Sequence, residues 1–390
     1  MNTKRFLVLG VIAFAFILGW GMYRTKTMSG NKPASQKLVS APLTPLHVAR
    51  ENVTVWLDTT RLDVKEAFDS LDDNRKQIGT VSPVMYQLTD GKVVFHHKLG
   101  VNTKDDIVFA CNKNEPKIAI RPVFRNVDEG GVHGDEALKI LQNPALREAA
   151  LDEIVKVAKD PNYAGVDLDW EGIPTDKFHL LSDFVEELAP RVHRVGKTLS
   201  VAVEAQVGGI ADNWKRISEV ADRVEIICYP QHHRGTDPGP IASVEWTEYR
   251  LKEALKVIPR SKLVFCLPLF GYVWEDWATL NPERKSYDIL SEMTWLRLKD
   301  IQEGEKRTRG TDWYNRNSIS PLENKRDKEG NPSSLFKHDT RRGDQAKCEA
   351  WYEDAYSINI KILMAQKYRV SQFGFWRIGG EDPDVWKSLN

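Results

Sequence analysis

Asp167, Asp169 and Glu171 stand at every second position of "YAGVDLDWEGIP" (163–174), an otherwise apolar run. Side chains alternate across a strand, so the three acids share one face, and Val166, Leu168 and Trp170 take the other. Carboxyls packed on one buried face repel one another, and burial disfavours their charge, so at least one stays protonated near neutral pH. A neutral acid beside ionised neighbours is what cleavage of a glycosidic bond requires of its proton donor. Two other readings compete. The acids could form a buried polar layer without chemistry, although three in one strand are costly without a use. "DLD" could be the Asp-x-Asp of a metal-dependent glycosyltransferase, which would want a nucleotide-binding open sheet around it.

The elements around the acidic strand decide between these. Apolar, strand-like runs occur at 53–58, 80–88, 117–124, 165–171, 199–207, 224–230, 262–274 and 371–380. Between several of them lie amphipathic helical patterns. Phe178, Leu181, Val185, Leu188 and Val192 step by three and four, as do Leu151, Ile154, Val155 and Ala158, with Asn143 as a helix cap. Eight strands alternating with helices in this length predict an α/β fold of the (β/α)8 TIM-barrel type. An open doubly wound sheet would carry a glycine-rich turn after its first strand, and "WLDTTRLDV" has none. In a barrel the acids point inward and climb toward the C-terminal rim, where barrel active sites sit.

Two stretches break the rhythm. Asp90-Gly91 predicts a hairpin that extends the second strand. Residues 275–345 are long, polar and charged, and are expected to form an α+β insertion after the seventh strand, shaping the cleft. Tyr86, Trp274 and Trp277 are candidates for lining that cleft, and Trp376 for a sugar platform. Glu204 and Gln206 share a face of the fifth strand as candidate inner polar residues. The pairs His96-His97 and His232-His233 are not read as a metal site, because strand neighbours point to opposite faces. No cysteine spacing resembles a zinc site, and Cys228 and Cys266, inside strand-like runs, are expected to be buried thiols. No cofactor is implied.

The 390 residues are 41% hydrophobic and carry 55 basic and 55 acidic side chains, which gives no electrostatic case for a nucleic-acid partner. A mean hydropathy of −0.44 describes a largely water-soluble chain. The N-terminus differs: Phe6 to Tyr23 is a run without charges between Lys4-Arg5 and Arg24, Lys26. Residues 1–26 read as a signal peptide or a membrane anchor, and the run reaches the lower limit of about 17 residues for a span. Either reading exports the rest, to a periplasmic or extracellular site, with membrane contact through this segment only. Residues 27–46, rich in Ser, Pro, Thr and Lys, read as a flexible tether to the domain at 47–390.

"YAGVDLDWEG" resembles the signature strand, DxxDxDxE, of glycoside hydrolase family 18, the chitinase-like barrels. "KLVFCLPLFGYVW" is similar to the family's seventh strand. "ILQNPALREAALDEIVKVAKDPNYAGVDLDWE" and "WYEDAYSINIKILMAQKYRVSQFGFWRIGGEDPDVW" resemble the bacterial spore-cortex-lytic branch; the likeness covers roughly residues 50–390. It implies Glu171 as proton donor and later base, Asp169 as the residue that orients the substrate acetamide, and Asp167 as its inner partner. It implies Tyr229 as a hydrogen-bond donor to the acetamide and Trp376 as the floor of the catalytic subsite. The implied reaction is retaining and substrate-assisted, on β-1,4 bonds after N-acetylglucosamine-type sugars in peptidoglycan or chitin-like glycans. Two positions depart from the pattern: Ala164 stands at its first Asp, and Pro230 where an Asp often follows the tyrosine. A barrel of this family that binds glycan without cutting it is the opposing class.

Overall fold

The computed structural model describes residues 43–60, 64–96, 104–128, 131–205, 211–276, 287–303, 322–339 and 345–389. The hydrophobic segment 6–23, most of the tether, and Gln206 and Trp277 lie outside these. Among the described residues no helix is long and apolar enough to cross a membrane.

Eight parallel strands form the barrel: Val53–Leu57, Thr80–Thr89, a third in two pieces (Ala119–Ile120 and Val123–Arg125), Gly165–Asp169, Thr198–Glu204, Arg223–Ile227, Leu263–Pro268 and Gln372–Trp376. Each pairs with the next, and the first also pairs with the eighth, so the sheet closes. The third is interrupted at Arg121-Pro122, where proline has no N–H for the ladder. Helices return the chain between strands. The Asn143 side chain accepts from the backbone N–H of Ala145 and Leu146, capping Pro144–Ala158. The stripe on Phe178–Arg194 is buried as its period predicts. Asp90 and Gly91, with φ of 52° and 70°, make the tight turn of the hairpin after the second strand.

The seventh strand does not run through to 274. It ends at Pro268, and Gly271–Asp276 becomes the second strand of a separate, antiparallel five-stranded sheet, between Tyr287–Met293 and the central Gln345–Trp351, with Pro332–Asp339 and Glu323–Arg326 beyond. Gly271 permits the departure, since a Cβ there would lie 1.9 Å from the Trp351 carbonyl oxygen. This sheet packs Val273, Phe336, Cys348 and Ala350 with Met293 and Leu298 in a core of its own. Tyr272 and Trp274, on the other face, join Tyr229, Ile241, Phe270, Trp351 and Trp376. The insertion is thus a lid-like wall of aromatic residues beside the barrel mouth. All four cysteines are free and buried.

The last long helix, Ala355–Lys367, carries a buried ion pair. Lys361 Nζ lies 2.5 Å from Glu353 Oε2, both side chains being essentially inaccessible, and Ser357 Oγ donates to the same oxygen. Removing one partner leaves the other charge uncompensated. Lys361→Met is expected to lose about 3–5 kcal/mol of stability in urea unfolding, and adding Glu353→Leu to restore most of it.

Candidate active site

The strand period delivers the acids as read. Asp167 and Asp169 are inside the barrel, 0% and 5% exposed, and Glu171, just past the strand end, is half-buried. Asp169 and Glu171 open on a cavity of about 300 Å³ at the C-terminal rim, which Tyr229, Trp376, Trp56, Arg125, Phe270 and Tyr272 also line. Tyr229 follows the sixth strand, Trp376 ends the eighth, and Phe270 and Tyr272 lead into the insertion, so the site exists only in the closed barrel.

Burial pushes Asp169 up to about 7, aided by the charges of Asp167 and Glu204 and opposed by Arg125. Burial, with Asp169 and Glu204, holds Glu171 well above the usual carboxyl range. Asp167 is raised by burial, although the Trp56 indole N–H donates to its Oδ2 at 3.2 Å. Burial also keeps the Tyr229 phenol neutral far into alkaline pH. The site therefore offers a protonated Glu171, an Asp169 that exchanges its proton near neutral pH, and a neutral phenol.

Several residues of the site were not singled out from the sequence. Asn126 grips the chain at Glu171: its Oδ1 accepts from Glu171 N at 2.8 Å, and its Nδ2 donates to the Glu171 carbonyl at 2.8 Å and to that of His133 at 2.9 Å. The clamp aims the acid beyond the end of its strand, where no ladder holds it. Arg125 points inward from the third strand, 3.5 Å from Asp58 Oδ2 and 5.7 Å from the Trp376 ring centroid. Burial would raise the Asp58 carboxyl, but Arg125 and Arg377 hold it below its ordinary value. The period-two rule applied to "VFRN" would have found Arg125. Asn126 carries no such signal, because its partners come from elsewhere in the chain.

Two cleft candidates are corrected. Tyr86 is outside the barrel. The register slips between Val84 and Tyr86 against the third strand, and such a bulge flips every later side chain to the other face. Val84 stays inside with Trp56 and Val123, whereas Tyr86 stacks on Phe124 at 4.5 Å and joins Tyr163 and Lys104 in a separate groove between helices. Trp274 is 1% exposed and does not line the cavity. It stands behind Tyr272, edge to face at 5.7 Å, because the strand carrying it left the barrel for the insertion. Tyr272, two residues earlier, takes the lining position. Ala164, at the first pattern position, is at the opposite end of the strand, hydrogen-bonded to the Ile120 carbonyl, so its departure touches nothing in the cavity. Pro230 does line it. His232 and His233 each meet a backbone carbonyl, and no cluster that could hold a metal ion occurs among the described residues.

Comparison with known proteins bears on the family and the fold. The sequence pattern of the glycosyl hydrolases family 18 matches residues 130–381, more than half of the chain. An uncharacterized glycosylase of Bacillus subtilis, YvbX, is 23% identical over 66% of this chain and 69% of its own. The cortical fragment-lytic enzyme of the same organism is 22% identical over 67% of this chain; the match spans 57% of that protein, less than two thirds of its length. The spore cortex-lytic enzyme SleL of Bacillus cereus superposes with a TM-score of 0.68 at 18% identity, covering 89% of this chain and 74% of that one, which shows a shared fold.

The raised Asp169 value makes a stability prediction. Folded Asp169 binds its proton more tightly than the unfolded residue, whose value is near 3.9. The stability this contributes is complete below about pH 4 and is lost as pH rises through about 7. Asp169→Asn removes that loss. Its advantage over wild type in urea unfolding should grow by about 2.6 kcal/mol between pH 5 and pH 8.

Proposed function

The chain belongs to glycosyl hydrolase family 18, and we propose that it hydrolyses β-1,4 bonds after N-acetylglucosamine-type sugars by a retaining, substrate-assisted route. The observation that carries this reading is one cavity holding Asp169 and Glu171 with raised affinities for protons, beside Tyr229 and Trp376. A sugar ring lies on the Trp376 face, and its acetamide reaches Tyr229 and Asp169. The acetamide carbonyl oxygen attacks the anomeric carbon as the bond to the leaving oxygen breaks, and Glu171 gives that oxygen its proton. Asp169 passes its own proton inward to Asp167 and faces the oxazolinium as an anion. The Glu171 carboxylate then takes a proton from the water that adds to the anomeric carbon, the bond from that carbon to the acetamide oxygen breaks, the proton on Asp167 returns to Asp169, and configuration is retained. Arg125 and Asp58 hold the mouth of the barrel in fixed charge around this exchange.

Peptidoglycan is the first substrate. The spore-cortex enzymes among the relatives support it, as does an apolar segment at 6–23 suited to export and to anchoring beside a wall. Chitin-type oligomers are second. The opposing reading, a barrel that holds glycan without cutting, rests on Pro230 in the cavity wall.

Glu171→Gln keeps the shape and removes the transferable proton. Purified peptidoglycan and chitin oligomers incubated with wild type should release fragments with new reducing ends, first formed in the β configuration by NMR. The variant should be slower by about 10²–10⁴-fold. Binding of both glycans without release by either protein would establish the binding module instead.

A further inference from the structure

The inward column of acids has a fourth member. Glu225 lies on the sixth strand four residues before Tyr229, so both take the inner face. It is 1% exposed, and its carboxyl is in hydrogen-bond contact with that of Asp167. The Trp56 indole already meets Asp167 Oδ2. Asp167 Oδ1 and Glu225 Oε2 are buried without an N–H or O–H partner. Two ionised carboxylates in such contact would repel strongly at low dielectric, whereas one proton between them supplies the missing donor.

The surroundings decide which residue keeps that proton. Asp167 is faced by the Trp56 N–H, by Ser82 and Arg121, and by Asp169 above it. Glu225 is faced by Asp167, by Arg121 and Arg223 below, and by the neutral Cys266 thiol. The two guanidiniums turn to threonines instead: Arg121 Nη1 donates to Thr80 Oγ1 at 2.9 Å and Arg223 Nη1 to Thr54 Oγ1 at 3.4 Å. The Trp56 N–H is aimed at Asp167 and not at Glu225, while burial and the Asp167 charge hold Glu225 well above its ordinary range.

We propose that Glu225 is a positioning residue that stays protonated, donates its hydroxyl to Asp167, and keeps Asp167 the anion that receives the Asp169 proton. The transfer balances within the column: the proton leaves one Asp169 oxygen and binds an Asp167 oxygen, and Glu225 keeps its own throughout. The use made of that transfer rests on the glycosidase reading above, but the proton assignment does not.

The test uses the full chain with Glu225→Gln and Glu225→Met and two readouts. The ¹⁵N-labelled indole of Trp56, assigned with Trp56→Phe, follows Asp167 ionisation without substrate; the pH profile of kcat/KM follows it in turnover. The glutamine amide donates from the same place, so Glu225→Gln should leave the indole midpoint and the acid limb within about 0.3 unit of wild type. Glu225→Met should raise both by about one unit and lower kcat about tenfold, with KM within about twofold. A fall in the midpoint in Glu225→Gln would mean that Glu225 is a buried anion and would overturn the proposal, as would an unchanged midpoint in Glu225→Met. If the methionine variant does not fold, Glu225→Gln alone separates neutral donor from anion. A wild type that never turns over glycan but gives the expected indole shifts retains the proton assignment and removes the glycosidase reading.

Discussion

Carboxyl groups stacked in the middle of a closed parallel barrel must each be neutral or be met by a donor, and much of the surrounding structure follows from that demand. Parallel strands ordinarily bury apolar side chains on both faces. Here the inner face carries Asp167, Asp169 and Glu225, with Arg121 and Arg223 beneath them and Arg125 above. Trp56 sits in the interior for its N–H as well as its ring, since its indole donates to Asp167 Oδ2. Burial without enough donors is what lifts these groups toward neutral pH. Lifted values are what proton transfer near neutrality needs.

The same demand explains why the site is divided between rigid and added parts. The barrel supplies the acids from strands whose register leaves no freedom, and Asn126 extends that rigidity past the end of the strand to Glu171. The insertion supplies aromatic surface. Tyr229, Phe270, Tyr272 and Trp274 run edge to face from the barrel into the second sheet, at centroid distances of 5.8, 5.4 and 5.7 Å. Such pairs prefer this geometry, and each is worth about 0.5–1.5 kcal/mol beyond its buried area. The insertion is thereby fastened to the neighbourhood of Tyr229 through a row of rings, and the wall of the cavity is shared between the two sheets.

Periodicity made the barrel, the inward acids, the Asn143 cap and the hairpin at Asp90-Gly91 legible, because each depends on residues close together in the chain. The same rule would have revealed Arg125 and Glu225 inside their strands. Tyr86 was misplaced because one extra residue in a ladder is invisible in a list of residue types yet exchanges the two faces beyond it. Trp274 was misplaced because the strand leaves the barrel at Pro268 to Gly271, a departure shaped by the Trp351 backbone far along the chain.

The amino-acid order alone determined that eight strands alternate with helices, which face of the fourth strand is acidic, and hence the class of chemistry. These rest on alternation and helical period, which are local. Tertiary structure decided which of the aromatic residues reach the cavity, that Asn126 holds Glu171, and that Asp167 meets Glu225 across the barrel. Those contacts join residues tens of positions apart. They are set by how the strands register and close, and the energies of their carboxyls depend on the burial that only closure creates.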